Sequence, residues 1–226
     1  MHAALTAICA VSCLTLVGAE IKRNDKVRAI AKFMASGAFV MLGLEALHAS
    51  AAYESFATWI LIGLVLGAVG DIVMLGRSSA AFLGGLVAFL GGHVAYIVAA
   101  SRLLAIDAWF GAAGVWAALP IVAGGVALFA WLWPRLSTEH RAMRGPVVVY
   151  VIAIVTMVVA AIAVARAHAL PEPQRCLFVA GAALFFVSDL AVARDKFVAK
   201  TVVNRMWGLP TYFAGQLLIA WTLIGL

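Results

Sequence analysis

Long apolar runs separated by short polar loops dominate the pattern of this chain. Runs long enough to cross a bilayer, about 17–25 residues each, fall at 3–19, 29–50, 56–75, 80–101, 110–133, 146–166, 176–193 and 207–226. A chain in lipid must satisfy its own backbone hydrogen bonds, so each run is read as one helix. The pattern predicts an all-α integral membrane protein, an eight-transmembrane-helix bundle that forms a single domain over 1–226.

Composition agrees with this fold class. The chain is 65% hydrophobic and 12% charged, whereas a soluble domain carries roughly twice that charged fraction. The formal net charge of +6 does not indicate nucleic-acid binding, because the basic residues gather in short loops, where they set topology. We therefore expect membrane lipids around the protein, no nucleic-acid partner, and a multi-pass location in the bacterial inner membrane.

The basic residues also predict an orientation. Three of the sixteen lysines and arginines, Arg102, Arg166 and Arg175, lie in loops that follow even-numbered spans, and the other thirteen lie on the opposite side. The positive-inside rule places the basic-rich side in the cytoplasm. Both termini are therefore expected on the non-cytoplasmic side.

Two aspartates interrupt otherwise apolar spans. Asp71 follows the run that begins at Trp59, and Asp189 follows the run that begins at Leu177. A carboxylate at the centre of a membrane helix costs at least ~2.5–3.5 kcal/mol, so such residues usually face a partner or a water-filled cavity. The pair is the first candidate for a functional site, although satisfied structural carboxylates are the alternative.

Further polar residues are expected at the depth of the aspartates. At 1.5 Å per residue, Lys32, Tyr212 and Gln216 fall in the same layer, which predicts a cavity open towards the cytoplasmic leaflet. His93 shares a helix face with Tyr96 but is placed slightly past the membrane midplane. It reaches the aspartates only if the helix tilts or begins raggedly, and otherwise could meet Glu45 and His48.

Five segments together form a recognisable pattern: Val69–Met74, Phe82–Gly85, Phe89–Tyr96, Gly181–Asp189 and Thr211–Gln216. By these segments the chain resembles a known family, the lysoplasmalogenase (YhhN-like) membrane proteins. The resemblance covers essentially the whole chain and agrees with the helix count.

The resemblance implies an intramembrane hydrolase that cleaves the vinyl-ether bond of 1-alkenyl lysophospholipids with water, releasing a fatty aldehyde and glycerophosphoethanolamine or glycerophosphocholine. Asp71 and Asp189 match the proposed catalytic aspartates of the family. Vinyl ethers hydrolyse through an oxocarbenium ion, as glycosides do between two carboxyl groups. One carboxyl would act as the acid and the other would stabilise the cation, without a cofactor or metal; which aspartate is the acid stays open.

The other candidate site residues have supporting roles in this hypothesis. Lys32 and Arg77 would hold the phosphate at the cytoplasmic mouth, although Lys32 could instead extend to the lipid head groups. Residues expected to orient water or the glycerol oxygens are His93, Tyr96, Ser188, Tyr212 and Gln216.

Three alternatives remain at this point. A proton-coupled transporter would also use paired membrane carboxylates, and a weak likeness between the segments ending in Asp71 and Asp189 would suit a repeat. A zinc hydrolase would need Asp71, Asp189 and His93 around one ion. A structural membrane scaffold would need neither chemistry.

Overall fold

The computed structural model describes residues 1–47, 53–76, 78–110, 112–136 and 141–226. These residues form eight α-helices, three short 3₁₀ segments and no strand. The α-helices are α1 His2–Lys22, α2 Asp25–Leu47, α3 Glu54–Val73, α4 Ser79–Leu103, α5 Ala112–Leu132, α6 Arg144–Arg166, α7 Gln174–Phe197 and α8 Val202–Trp221. The all-α prediction is confirmed.

Seven of the described helical segments are long and apolar enough to cross a membrane. They comprise α1 to α4, Ala118–Leu136 at the end of α5, Arg141–Arg166 around α6, and α7. The helix α8 does not belong to this set, and it carries Asn204, Arg205 and Gln216 among its apolar residues. The architecture is that of a multi-pass membrane protein.

Seven helices close into a ring, and α5 lies outside it. Neighbours in the ring are α1 and α2, α2 and α3, α3 and α4, α4 and α6, α6 and α7, α7 and α8, and finally α8 and α1. The helix α8 also contacts α2 and α3 across the ring, whereas α5 packs mainly on α6. The interior of the ring is where polar side chains from distant parts of the chain can meet.

Two helix boundaries differ from the predicted ones in ways that affect the site. The helix α7 ends at Phe197, beyond the predicted residue 193, because Arg194, Asp195 and Lys196 continue the helix after the apolar run has ended. The helix α8 starts at Val202, before the predicted residue 207. Its N-cap is Thr201, whose side chain accepts a hydrogen bond from the Asn204 backbone N–H, as N-cap threonines do.

Glycines bring α3 and α4 into close contact. A Cβ atom on Gly63 would lie 2.2 Å from Cε1 of Tyr96, and one on Gly92 would lie 3.3 Å from the Gly63 carbonyl oxygen. A Cβ on Gly67 would lie 2.2 Å from Nε2 of Gln216 in α8. Small residues allow membrane helices to approach in this way, and here they let long polar side chains pass between the helices.

Candidate active site

Asp71 lies near the end of α3, where three side chains surround its carboxyl group. The Lys32 Nζ atom is 3.2 Å from Oδ1. The hydroxyls of Ser36 and Tyr212 both donate to Oδ2, at 2.5 Å and 2.9 Å. Since Lys32 and Ser36 are four residues apart on α2, they lie on one helix face. Asp71 itself is buried, with 2% of its surface exposed.

Asp189 lies in a second polar group, formed by α4, α6 and α7. Nε2 of His93 is 3.3 Å from Oδ2 of Asp189 and 3.0 Å from the Tyr150 hydroxyl oxygen. The Tyr150 hydroxyl donates to Oδ1 of Asp189 at 3.2 Å. The three groups form a closed triangle through Nε2 of His93, and Nδ1 of His93 has no hydrogen-bond partner among the described residues.

The two groups differ in charge and exposure. Asp71 pairs with the Lys32 ammonium, and its side chain is 3% exposed. Asp189 forms no ion pair with lysine or arginine in the described part of the chain, and its side chain is 15% exposed. One carboxyl group is therefore enclosed beside a lysine, whereas the other contacts a tyrosine hydroxyl and a histidine ring and is more exposed.

Aromatic rings separate the two polar groups. Phe185 packs on His93 at a centroid distance of 4.5 Å and on Tyr212 at 5.3 Å. Phe89 contacts both Phe185 and Tyr212, at 6.3 Å and 5.6 Å. The rings thus connect the partner of one aspartate to the partner of the other and keep the wall between them apolar.

Both aspartates line one cavity of about 870 Å³. Its wall also contains Lys32, Ser188 and Tyr212. Around its mouth lie residues from the turn after α1, the segment between α3 and α4, and the segment between α7 and α8: Arg23, Gly76, Ser78, Val198, Ala199, Lys200 and Thr201. A cavity of this size can hold a small ligand rather than water alone.

An ion-pair network supports the mouth of the cavity. Arg205 contacts Glu20 at 2.6 Å and Asp195 at 3.3 Å, which ties α8 to both α1 and α7. Arg28 lies 3.9 Å from the same Glu20 carboxylate and donates to the Leu75 carbonyl oxygen at 3.0 Å. These contacts hold four helices in register near the entrance, and sequence reasoning did not identify them.

Most of the predicted site residues come together, although in two groups rather than one layer. Lys32 and Tyr212 contact Asp71 directly. Gln216 lies behind them: its Nε2 donates to the Tyr212 hydroxyl at 3.4 Å, and its Oε1 accepts from Tyr96 at 2.6 Å. Tyr96 is therefore connected to the Asp71 carboxyl group through three successive hydrogen bonds, by way of Gln216 and Tyr212.

The remaining predicted residues have different surroundings. His93 contacts Asp189, while Glu45 lies 3.6 Å from His2. Ser188 lines the cavity, but its hydroxyl donates to the Phe185 carbonyl oxygen of its own helix at 2.7 Å. Arg77 and His48 lie outside the described residues, so their predicted contacts stay predictions.

Sequence reasoning missed two residues that contact the aspartates, Ser36 and Tyr150. Ser36 is one turn beyond Lys32, so the helix spacing carried a usable signal. Tyr150 stands in the apolar run of α6 with no nearby charged residue to mark it. Its hydroxyl has a partner only because α6 packs between α4 and α7.

The zinc alternative finds no support in this geometry. His93 and Asp71 belong to separate hydrogen-bonded groups, and the described residues contain no set of three His, Cys, Asp or Glu side chains placed to hold a metal ion. The two aspartate carboxyl groups instead contact two different sets of side chains.

The family model of the YhhN family matches residues 27–223. The chain belongs to the YhhN family. The matched region runs from the first turn of α2 to beyond the end of α8, so it includes both aspartates and the five side chains that contact their carboxyl groups: Lys32, Ser36, His93, Tyr150 and Tyr212. No solved structure matches this YhhN chain.

A curated relative adds a name to the comparison. The bovine protein "Lysoplasmalogenase TMEM86A" (Bos taurus) is 30% identical over 168 residues. The aligned part covers 73% of this YhhN chain and 64% of the relative. The chain thus spans about 64% of the length of the curated relative that it matches.

Proposed function

We propose that this YhhN-family protein is a lysoplasmalogenase-type hydrolase, which cleaves the vinyl ether of a 1-alkenyl lysophospholipid with water. The observation that carries the proposal is the pair of aspartates, one buried and one partly exposed, that line one cavity with different partners. The family membership and the name of the bovine relative support the same substrate class.

Asp71 is assigned the role of the ionised carboxylate. It accepts hydrogen bonds from Ser36 and Tyr212 and lies beside the Lys32 ammonium. A positive charge and two hydroxyl donors all favour the anionic form of a carboxyl group. An anion at this position stabilises a cation that develops in the cavity.

Asp189 is assigned the role of the acid. Its neighbours are the Tyr150 hydroxyl and the His93 imidazole, and these can donate or accept according to where the proton lies. The carboxyl group is also the more exposed of the two. It can therefore meet a substrate carbon from the cavity while the triangle holds its orientation.

The reaction then proceeds in balanced steps. The Asp189 carboxyl proton moves to the second carbon of the alkenyl chain, and the π electrons of the double bond form the new C–H bond. The resulting oxocarbenium ion lies near the Asp71 carboxylate, and water attacks its first carbon. The water loses a proton to the Asp189 carboxylate, which regenerates the acid, and a hemiacetal remains.

The hemiacetal collapses to the products. Its C–O bond to glycerol breaks, the hydroxyl proton is transferred through the polar groups to the departing glycerol oxygen, and the carbonyl of the fatty aldehyde forms. The sum of the steps is one water consumed for each aldehyde and glycerophospho-base released. The chain's own side chains supply every proton transfer.

The phosphate of the substrate is assigned to the mouth of the cavity. Arg23 and Lys200 line this region, and Arg77 follows Gly76, which lines it too. Lys32 is the less suitable phosphate ligand, since it faces Asp71. Because the mouth is formed by basic-rich loops, we place it on the cytoplasmic side of a bacterial inner membrane, with both termini on the other side.

The decisive experiment measures aldehyde release from 1-alkenyl-glycerophosphoethanolamine by the purified protein in detergent. We expect turnover by the wild type, and a loss of at least about 1,000-fold in Asp71→Asn and in Asp189→Asn, because each removes a group that acts on the reacting atoms. Asp107→Asn is the matched control, since Asp107 is exposed and lies outside the cavity.

Folded wild-type protein that releases no aldehyde from any 1-alkenyl lysophospholipid would refute the proposed function. Full activity in either cavity variant would refute the role of that aspartate. Size-exclusion profiles and thermal midpoints of all three variants establish that the comparison concerns folded protein.

A further inference from the structure

A narrow apolar crevice opens from the cavity at Asp189. It has a volume of about 50 Å³ and extends between α4, α6 and α7 towards α5. Among the described residues that line it, the polar ones are Asp189 and Tyr150, and the others are apolar, including Leu86, Leu128, Val147, Val151, Ile154 and Ala193.

The crevice and the cavity share one wall. Asp189 lines both, as do Phe82, Phe89 and Met74. On one side of Asp189 the cavity walls carry the charged residues of the mouth, and on the other side the described residues of the crevice, apart from Asp189 itself, carry no charge. The carboxyl group therefore stands at a boundary between a polar and an apolar compartment.

This boundary corresponds to the bond that the proposed reaction breaks. In a 1-alkenyl lysophospholipid, the vinyl ether joins the polar glycerophosphate part to a single hydrocarbon chain. We propose, on the basis of the proposed function, that the crevice binds the alkenyl chain and so places the chain's first two carbons at Asp189. The head group then lies in the cavity, towards Arg23 and Lys200.

The crevice suits the first part of one chain and is too narrow for the head group. Its lining runs from Val147 to Ile154 on α6, which is about 10 Å at 1.5 Å per residue. The present volume of about 50 Å³ requires flexible side chains such as Met74 and Leu128 to move aside for the chain to enter, and the rest of a long chain extends beyond the crevice. A phosphate placed there would lose its hydration without gaining a charged partner.

The test blocks the crevice and compares long and short substrates. Val151→Phe adds an aromatic ring to the crevice wall, and Val149→Phe makes the same change on the same helix at a position that is 52% exposed. Each buried CH₂ group is worth roughly a factor of four in binding. We therefore expect Val151→Phe to lower kcat/KM for a hexadecenyl substrate by about tenfold or more.

The kcat/KM value for a short-chain substrate distinguishes a loss of chain binding from damage to the catalytic groups. For a butenyl substrate, Val151→Phe should change kcat/KM by less than about threefold, since few CH₂ groups are lost. Val149→Phe should change neither substrate. Equal losses for both substrates, or no loss for either, would overturn the chain-binding role.

A second pair of variants keeps the proposal testable if Val151→Phe does not fold. Ala193 lines the crevice, whereas Ala183 on the same helix α7 is exposed. Ala193→Leu should again reduce the preference for the long chain, and Ala183→Leu should leave it unchanged. A chain-length preference that both variants leave at the wild-type value would overturn the proposal independently.

A binding measurement distinguishes failure of this inference from failure of the proposed function. Saturated 1-O-alkyl lysophospholipids of sixteen and four carbons lack the reactive double bond, and a bound ligand raises the thermal midpoint of the protein. The wild type could fail to hydrolyse any vinyl ether and still bind the sixteen-carbon probe. If that probe raises the thermal midpoint of the wild type and of Val149→Phe but not that of Val151→Phe, the result still supports chain binding in the crevice. Equal stabilisation of Val151→Phe and wild type refutes it.

Discussion

At the scale of single residues, the two aspartates are not equivalent. Asp71 faces Lys32, Ser36 and Tyr212, and Asp189 faces His93 and Tyr150. Two carboxyl groups in different environments can take the two roles of an acid and an anion, as pairs in other hydrolases do. Substitutions of the side chains that contact each aspartate therefore test which carboxyl group is the acid and which is the anion.

Tyr150→Phe removes the hydroxyl that contacts both Asp189 and His93. We expect kcat to fall by about 10- to 100-fold, because Asp189 becomes a carboxylate as it gives up its proton, and a hydrogen bond to a charged group contributes roughly 1.5–3 kcal/mol. Aldehyde release under saturating substrate measures the effect. Tyr53→Phe, at the start of α3, should retain wild-type activity, and an unaffected kcat in Tyr150→Phe would contradict a role of the triangle.

Lys32→Met separates two roles of the lysine through the kinetic constants. If Lys32 holds Asp71 in its ionised form, kcat falls by roughly 100-fold and KM changes little, because the loss is confined to the transition state. If Lys32 binds phosphate, KM rises instead. We expect the first result from the 3.2 Å contact with Asp71; Lys26→Met, at an exposed position of α2, is the control.

At the scale of elements, the contact of α3 with α4 and α8 positions the Asp71 group. Gly63 leaves room for the Tyr96 ring, which is fully buried. The Tyr96 hydroxyl in turn donates to Gln216, and Gln216 donates to Tyr212. We therefore expect a change in the contact between α3 and α4 to alter the position of the Tyr212 hydroxyl that donates to Asp71, because hydrogen bonds connect Tyr96 to Tyr212 through Gln216.

Gly63→Ala tests this arrangement, since the added Cβ would lie 2.2 Å from the Tyr96 ring. Overpacking of this kind costs ~1–3 kcal/mol, so we expect a lower thermal midpoint in detergent together with reduced activity. Gly37→Ala is the matched control, because a Cβ there meets no atom within 4 Å. Equal midpoints for the two variants would contradict the close contact.

At the scale of the whole molecule, one ring of helices encloses a cavity whose lining extends to the helix ends at one side. The segments after α1 and α7 contribute Arg23 and Lys200 to this lining, and both residues belong to the basic-rich side of the chain. The positive-inside rule therefore connects the topology to the side from which a phospholipid head group would enter.

Site-specific labelling tests this topology. Cys176 near the start of α7 is exposed, and Lys200→Cys would place an exposed thiol just beyond the other end. In right-side-out membrane vesicles, we expect a membrane-impermeant maleimide to label Cys176, and to label Lys200→Cys in a Cys176→Ser background only after the vesicles are opened. The reverse pattern would place the cavity mouth outside the cell.

The depth of His93 illustrates where prediction from the sequence reached its limit. Apolar runs predicted the helices well, but they place the end of α7 at residue 193 rather than at Phe197. The longer helix sets Asp189 about 12 Å from its end, at 1.5 Å per residue, instead of about 6 Å. His93 lies about 21 Å from the start of α4 by the same count, so helix length alone does not bring the two residues together. Their contact at 3.3 Å depends on how the helices tilt and pack, which the sequence does not show.

The sequence by itself determined the helical fold class, the approximate helices and both carboxyl groups, because membrane burial makes apolar length and intramembrane charge visible in one dimension. Only the tertiary structure decided that the polar residues form two groups, that Ser36 and Tyr150 belong to them, and that an apolar crevice begins at Asp189. These features depend on helix rotation and on contacts between residues far apart in the chain. Hydropathy measures how apolar a segment is, and it contains no information about which face of a helix meets which neighbour.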